Sequence, residues 1–223
     1  QKLEVRGDQK IITLKDGSEI AAGAVIVATG AYFRKQGCPG EKKYTGMGVS
    51  YCAVCDAAFF EDLEVAVIGG GNTAVEEACY LTGFASKVYI VHRRDEFRAD
   101  RLVVEHALAN PKIVPVMDSV LESIEGSDMV EKIVVRNVKT DEKREIPLSG
   151  VFVFIGTLPN DEYVRGLLET DSGGWIVTDD KLQTSVPGIF AAGDVRNTSL
   201  RQVVTAAGDG ARAAMSAYAY LQH

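Results

Sequence analysis

The chain has 223 residues, a formal net charge of −7, 46% hydrophobic and 25% charged residues. That balance suits one large or two small globular domains, and the acidic excess argues against a nucleic-acid partner, which needs a basic surface. No apolar run approaches the roughly 18 residues of a membrane span, no signal peptide is visible, and four cysteines are too few for a secreted disulfide scaffold, so a reducing cytoplasm is expected.

In chain order, residues 3–6 and 10–14 alternate apolar and polar before the turn Asp16-Gly17, and read as short antiparallel strands. Ala24–Ala28 (AVIVA) reads as a buried strand closed by Thr29-Gly30, and residues 37–48 as a loop. Glu64–Ile68 (EVAVI) is a continuous apolar run, the mark of a parallel strand covered on both faces. Gly69-Gly70-Gly71 ends it, and Asn72–Thr82 carries a helical stripe of Ala74, Val75, Ala78 and Leu81. Lys87–Val91 (KVYIV) is a second such strand, and Asp100–Ala109 a helix stopped by Pro111. Residues 112–116, 119–125, 130–138 and 143–148 read as a β-meander. Val151–Ile155 (VFVFI) is another buried strand, ending at Gly156. Trp175–Thr178 and Gly188–Ala192 read as strands and Val203–Leu221 as a long Ala-rich helix. Twice a meander precedes a buried strand and its glycine. The fold class expected is therefore α/β, with two Rossmann-like dinucleotide-binding domains of three β/β/α layers, one inserted in the other.

Gly69-Gly70-Gly71-Asn72-Thr73-Ala74 fits G-x-G-x-x-A between a strand and a helix, with a second strand about 20 residues on. Gly69 permits the turn, Gly71 lets backbone approach a pyrophosphate, and Ala74 lets the helix pack closely on the sheet; the helix N-terminus faces the anion. The bland alternative is a structural glycine turn. Where an NAD-binding unit carries Asp or Glu for the ribose 2′-hydroxyl, this chain has His92-Arg93-Arg94, with Arg98 four residues further on. Arginines make bidentate bonds to a 2′-phosphate, so NADPH is expected over NADH, against the alternative of a solvated basic patch.

Cys52-Ala53-Val54-Cys55 is a CxxC. A zinc site needs a second pair of ligands, and His92, His106 and His223 show no ligand spacing, so no metal is expected. An inert structural pair is the other alternative. A redox dithiol gains from Asp56, a carboxylate able to move the proton of disulfide exchange, although a helix cap is the commoner role for such an Asp. Cys38 and Cys79 read as packing residues.

Together these residues resemble the low-molecular-weight thioredoxin reductase family. CAVCD at 52–56, VIGGGNTAVEEACYLT at 67–82, HRRDEFRA at 92–99, TSVPGIFAAGDV at 184–195 and RQVVTAAGDGARAA at 201–214 carry the resemblance, which runs from about Val25 to Leu221. It implies an FAD-binding domain of residues 1–33 and 160–223, and an NADPH-binding domain of 34–159 that also holds the dithiol. Electrons would pass from NADPH through FAD to the Cys52–Cys55 disulfide and then to thioredoxin or a thioredoxin-like protein, in a homodimer. Cys55 would face the flavin and Cys52 attack the partner. Asp194, beside Gly193, would bond the ribityl chain, and Arg201, Gln202 and Val203 would line the flavin. Thr29 and Gly30, like Ile155 and Gly156, would touch cofactor at the ends of their strands. Phe33–Met47 and Ile155–Asp161 would be the hinge strands of a domain rotation.

Three departures stand out. Ala57 replaces the family's Gly and Val54 its Thr. No GxGxxG precedes Ala24, and the first residue is Gln1 rather than Met, so roughly a third of a family member is expected to be missing from the front. That leaves two other readings: an NADPH-binding fragment without FAD or catalysis, and a related flavoprotein reductase with another dithiol partner. The arginine cluster argues against a ferredoxin-fed relative.

Overall fold

The computed structural model describes residues 2–222, so Gln1 and His223 lie outside the described residues. The chain divides into two compact units, Gln1–Tyr32 with Thr157–His223, and Phe33–Gly156. The first unit begins with an antiparallel meander of β1 (Lys2–Arg6), β2 (Gln9–Thr13) and β3 (Glu19–Ala22). β3 has no counterpart in the sequence reading, because EIAA is short and its first three residues are exposed. β4 (Val25–Val27) follows, and then β5 (Ala31–Phe33). Ala24–Ala28 is thus shorter and less buried than expected: Val27 is buried but Ile26 is 38% exposed.

The second unit is built on a five-stranded parallel sheet. Its strands are β6 (Val49–Ser50), β7 (Glu64–Ile68), β8 (Lys87–Val91), β9 (Ile113–Val116) and, after an excursion, a strand at Gly150–Val153. The short helix α1 (Ala53–Asp56) follows β6, α2 (Asn72–Leu81) follows β7, and α3 (Arg101–Leu108) follows β8. The excursion is a meander of β10 (Ser119–Glu125), β11 (Lys132–Asn137) and β12 (Lys143–Pro147), which returns the chain to β13, the strand at Gly150–Val153. Residues 112–116 therefore leave the expected meander and join the parallel sheet. They follow a helix that has already reversed the chain, so they run parallel to β8, and Pro115 is tolerated because β9 is the edge strand.

Side chains of alternate residues in this sheet face opposite ways, which produces three layers. Ala66, Ile68, Tyr89, Val91, Val151 and Val153 pack on the meander through Ile124, Ile133 and Ile146. Val65, Val67, Val88, Ile90 and Phe152 pack on the helices through Ala74, Val75, Ala78 and Leu81, the stripe legible in the sequence. Both faces are covered, and so the strands read as unbroken apolar runs.

Back in the first unit, β14 (Thr157–Pro159) pairs with β5, and β15 (Ile189–Ala191) runs parallel to β4. Trp175–Thr178 is not a strand: only Ile176 forms bridges, to Thr170 and Arg196, and Asp171 ties the preceding turn by accepting the Gly173 and Trp175 N–H groups. The helix α4 (Val203–Leu221) presents Ala213 and Ala217 to Leu182 and Phe190.

Asp209 of α4 is 7% exposed and accepts from Gly193 N (3.1 Å) and from Arg196 Nε (2.6 Å) and Nη2 (3.1 Å). The Arg196 guanidinium holds this carboxyl below its ordinary value of 3.8. A depressed folded-state pKa gives stability that is present above the unfolded value and lost as the pH falls through the folded one. Asp209→Asn removes the carboxylate from the half-buried Arg196 and is expected to cost about 2 kcal/mol at pH 7 in urea unfolding, the range for hydrogen bonds to charged groups. The gap from the native chain should narrow as the pH is taken below about 4.

Candidate functional site

The parallel strands end on one edge of the sheet, in the order β6, β13, β7, β8, β9. The loop after β6 carries Cys52 and Cys55, that after β13 Ile155 and Gly156, that after β7 the glycine triplet, and that after β8 His92, Arg93 and Arg94. Neighbouring strands lie about 4.8 Å apart, so the dithiol and arginine loops are separated by about 14 Å along this edge. The carboxyl edge of an open parallel sheet is where such folds bind ligands.

Cys52 and Cys55 form a disulfide, with Cα atoms 5.3 Å apart. Cys52 is half-buried and caps α1, its Sγ accepting the Cys55 N–H at 3.2 Å; Cys55 is exposed. Asp56 closes the helix, and its Oδ2 accepts the Ser50 hydroxyl at 2.6 Å. Tyr51, between Ser50 and Cys52, donates its hydroxyl to Glu41 at 2.9 Å, stacks on Phe33 and lies 3.4 Å below the Lys35 ammonium. Burial and the Glu41 bond push the Tyr51 phenol up to about 12. Glu41 is itself buried, and accepts the Gln36 and Gly37 N–H groups as well. Ser50, Tyr51 and Glu41 carried no signal in the sequence, where a polar residue near a CxxC has no periodicity to mark it.

Cys38 and Cys79 are free and half-buried against the two cores. Burial pushes the Cys38 thiol up to about 11 and raises that of Cys79, so both stay protonated at neutral pH. Among the described residues no group of three or more His, Cys, Asp or Glu side chains is placed to hold a metal.

Gly69 adopts φ +150°, and a Cβ there would lie 2.7 Å from that of Ala74 and also strike the Phe154 carbonyl. A Cβ on Gly70 would enter the His92 ring, whereas one on Gly71 would meet nothing within 4 Å. Gly71 thus leaves open space over the start of α2, whose first N–H groups have no helical acceptor and no side-chain cap. The first turn of α2 holds no acidic residue, which suits an anion. Thr73 is exposed. The Asn72 amide is already engaged, exchanging bonds of 2.9 and 2.7 Å with Asp100, and so braces the loop before α3.

His92 is 5% exposed, and its Nε2 has no partner. Burial first, then the cations Arg98, Arg94 and Arg93, hold its pKa below 6.5, so it is neutral at pH 7. The three arginines are exposed, and the backbone N–H of Arg98 donates to the Gly70 carbonyl at 2.7 Å, tying the arginine loop to the glycine loop. The pair of loops can hold a pyrophosphate and a second phosphate at once.

In the other unit, Gly193 (φ +73°) and Asp194 form a turn just before α4. Asp194 Oδ1 is buried without a partner, an acceptor suited to the hydroxyl of a polyol chain such as the ribityl group of FAD. Arg201 stacks 3.6 Å over Trp175, and Gln202 and Val203 begin α4, with Val203 86% exposed. Thr29 donates to the Asn160 carbonyl at 2.6 Å, and the Asn160 amide returns a bond to Thr29 O at 2.9 Å; Gly30 beside it has φ +70°. Gly156 takes φ +122° and accepts the Arg34 N–H, while Ile155 packs on the meander core. The predicted residues therefore fall into two groups, one in each unit.

Residues 1–210 match the model of the pyridine nucleotide-disulphide oxidoreductase family. A thioredoxin reductase of Peptoclostridium acidaminophilum is 51% identical over 227 residues, covering 99% of this chain and 72% of that protein. The crystal structure of thioredoxin reductase from Streptococcus pyogenes superposes with a TM-score of 0.95 at 50% identity, over 100% of this chain and 72% of that one. Thioredoxin reductase from Giardia duodenalis gives 0.93 at 38% identity, over 100% and 74%. The chain thus spans about three quarters of the relatives it matches and shares their fold throughout, and it belongs to the thioredoxin reductase family of pyridine nucleotide-disulphide oxidoreductases.

Proposed function

We propose that the chain is a thioredoxin-disulfide reductase that takes electrons from NADPH through FAD to the Cys52–Cys55 disulfide, and from there to thioredoxin or a thioredoxin-like protein. The observation that carries this reading is a disulfide on the same sheet edge as a glycine loop and three free-standing arginines. NADPH belongs to the unit Phe33–Gly156, with its pyrophosphate at the start of α2 and its 2′-phosphate among Arg93, Arg94 and Arg98. FAD belongs to the other unit, with Asp194 accepting from its ribityl chain and Arg201, Gln202 and Val203 beside its ring. FAD held there would supply two-electron carriage between NADPH and a disulfide. No helix among the described residues is long and apolar enough to cross a membrane, and the same reading has the protein work as a homodimer in the cytoplasm.

The residues of this chain have three tasks. The arginines and the α2 terminus select and orient the nucleotide. Cys52 and Cys55 store the electron pair as a dithiol, and a sulfur at Cys52 is stabilised as an anion by the Cys55 N–H. Asp56 takes and returns the proton as the dithiol exchanges with the partner's disulfide. The test is NADPH-driven reduction of thioredoxin by the FAD-loaded protein, read through an aromatic disulfide. Turnover with NADPH well above NADH is expected; flavin that NADPH reduces without any thioredoxin turnover would overturn the reading.

A further inference from the structure

Each turnover of the dithiol moves protons as well as electrons. Two electrons break the Cys52–Cys55 bond and leave two sulfur anions, each of which takes one proton to become a thiol: one is the hydrogen that NADPH gives up with the electron pair, the other comes from solvent. Asp56 is the neighbouring carboxylate, and among the described residues Ser50 is the side chain that donates to it, at 2.6 Å. The same hydroxyl oxygen accepts the Cys52 N–H at 3.1 Å and lies 3.3 Å from the Cys52 carbonyl. Ser50 is 5% exposed and ends β6, so its position is set by the sheet.

A serine hydroxyl has one hydrogen and two lone pairs. While Asp56 is ionised, that hydrogen goes to the carboxylate, the nearer and charged acceptor. Once Asp56 carries a proton, its O–H donates to Ser50, and the hydroxyl hydrogen turns to the Cys52 carbonyl. The proton count is unchanged by this exchange: Asp56 gains the proton the dithiol loses, and Ser50 reverses its donor direction. We propose that Ser50 is a positioning residue for the proton step, holding the Asp56 carboxyl for exchange with the dithiol and coupling its protonation to the backbone of Cys52. The proposal rests on the reductase reading of the dithiol and deepens it.

The experiment is a double-mutant cycle in the FAD-loaded protein. Ser50→Ala is expected to lower kcat for thioredoxin about tenfold, with KM within about twofold, because a hydrogen bond to a charged group is lost. Ser50→Thr keeps the hydroxyl and should recover most of kcat. In an Asp56→Asn background, Ser50→Ala should cost no further factor, since residues acting through one another are not additive. Ser50→Ala without effect overturns the proposal. So does an equal loss in both backgrounds, which would mark a purely structural role, or a failure of Ser50→Thr to recover. Cys52→Ser serves as the control for the underlying reading: if it kept native turnover, the dithiol assignment itself would fall, whatever Ser50 did.

Discussion

Cys55→Ser is expected to abolish thioredoxin turnover, by at least about 10⁴-fold given the loss of a covalent relay, yet to leave thioredoxin held as a mixed disulfide through Cys52 when the reaction is quenched with acid, which protonates the partner's released thiolate and stops its return. Cys52→Ser should lose turnover equally and trap little. In both variants NADPH should still bleach the flavin, because neither sulfur takes part in that transfer. The two cysteines are distinguished by the turn that holds them. Cys52 caps α1 and its Sγ accepts the Cys55 N–H at 3.2 Å, a bond that favours a thiolate at Cys52 once the disulfide opens. Cys55 accepts no such bond among the described residues. Exposure points the other way, since Cys55 is exposed and Cys52 half-buried. Trapping separates these two effects: a mixed disulfide formed by Cys52→Ser and not by Cys55→Ser would show that access outweighs thiolate stabilisation. Non-reducing electrophoresis and mass measurement of the adduct read the outcome directly.

The local elements of this chain were legible where burial imposed a period. The α2 stripe of Ala74, Val75, Ala78 and Leu81 came through because one helix face meets one sheet. The strands at 64–68 and 87–91 came through because both their faces are covered. Residues 112–116 went to the wrong sheet, since alternation reports that a strand is half-covered and says nothing of its direction. Trp175–Thr178 has strand composition, but it has no ladder to join, and its indole lies instead against Arg201.

For the site, the motifs gave the loops and left out their order in space. In sequence the dithiol, glycine and arginine loops come first, with Ile155-Gly156 far behind; in the sheet β13 slips between β6 and β7, so that loop lies between the first two. Ser50 was invisible for a related reason. Its partner Asp56 is six residues away across the CxxC turn, a spacing that marks neither a helix face nor a strand face. Asn72 shows the converse: a motif position whose side chain is spent on Asp100, so that at that position the backbone N–H is what remains for a ligand.

Removing the arginines should convert the cofactor preference rather than abolish the enzyme. Each of Arg93→Ala, Arg94→Ala and Arg98→Ala is expected to raise KM for NADPH about tenfold or more, as one charge-assisted bond to a 2′-phosphate disappears. KM for NADH, which lacks that phosphate, should stay within about twofold, and kcat and the KM for thioredoxin should not move. The triple variant should lose about 10²-fold of the NADPH-over-NADH ratio, less than the sum of the single effects, because three cations around one anion share its charge. All three are exposed; Arg93 and Arg94 follow the end of β8, and the Arg98 N–H ties its loop to the Gly70 carbonyl. Exposure also makes the preference salt-sensitive, and raising ionic strength from about 0.01 to about 0.15 M should weaken NADPH binding in the native chain and leave the triple variant nearly unaffected. The structural route of the effect is short: the Arg98 N–H holds the Gly70 carbonyl, and Gly70 has room for no Cβ against His92. Alanine at Arg98 keeps that backbone bond, so its loss should appear in the cofactor ratio and not in folding. Steady-state kinetics with both nucleotides decide the matter, and a native chain that used NADH as well as NADPH would remove the basis for assigning the cluster to a 2′-phosphate.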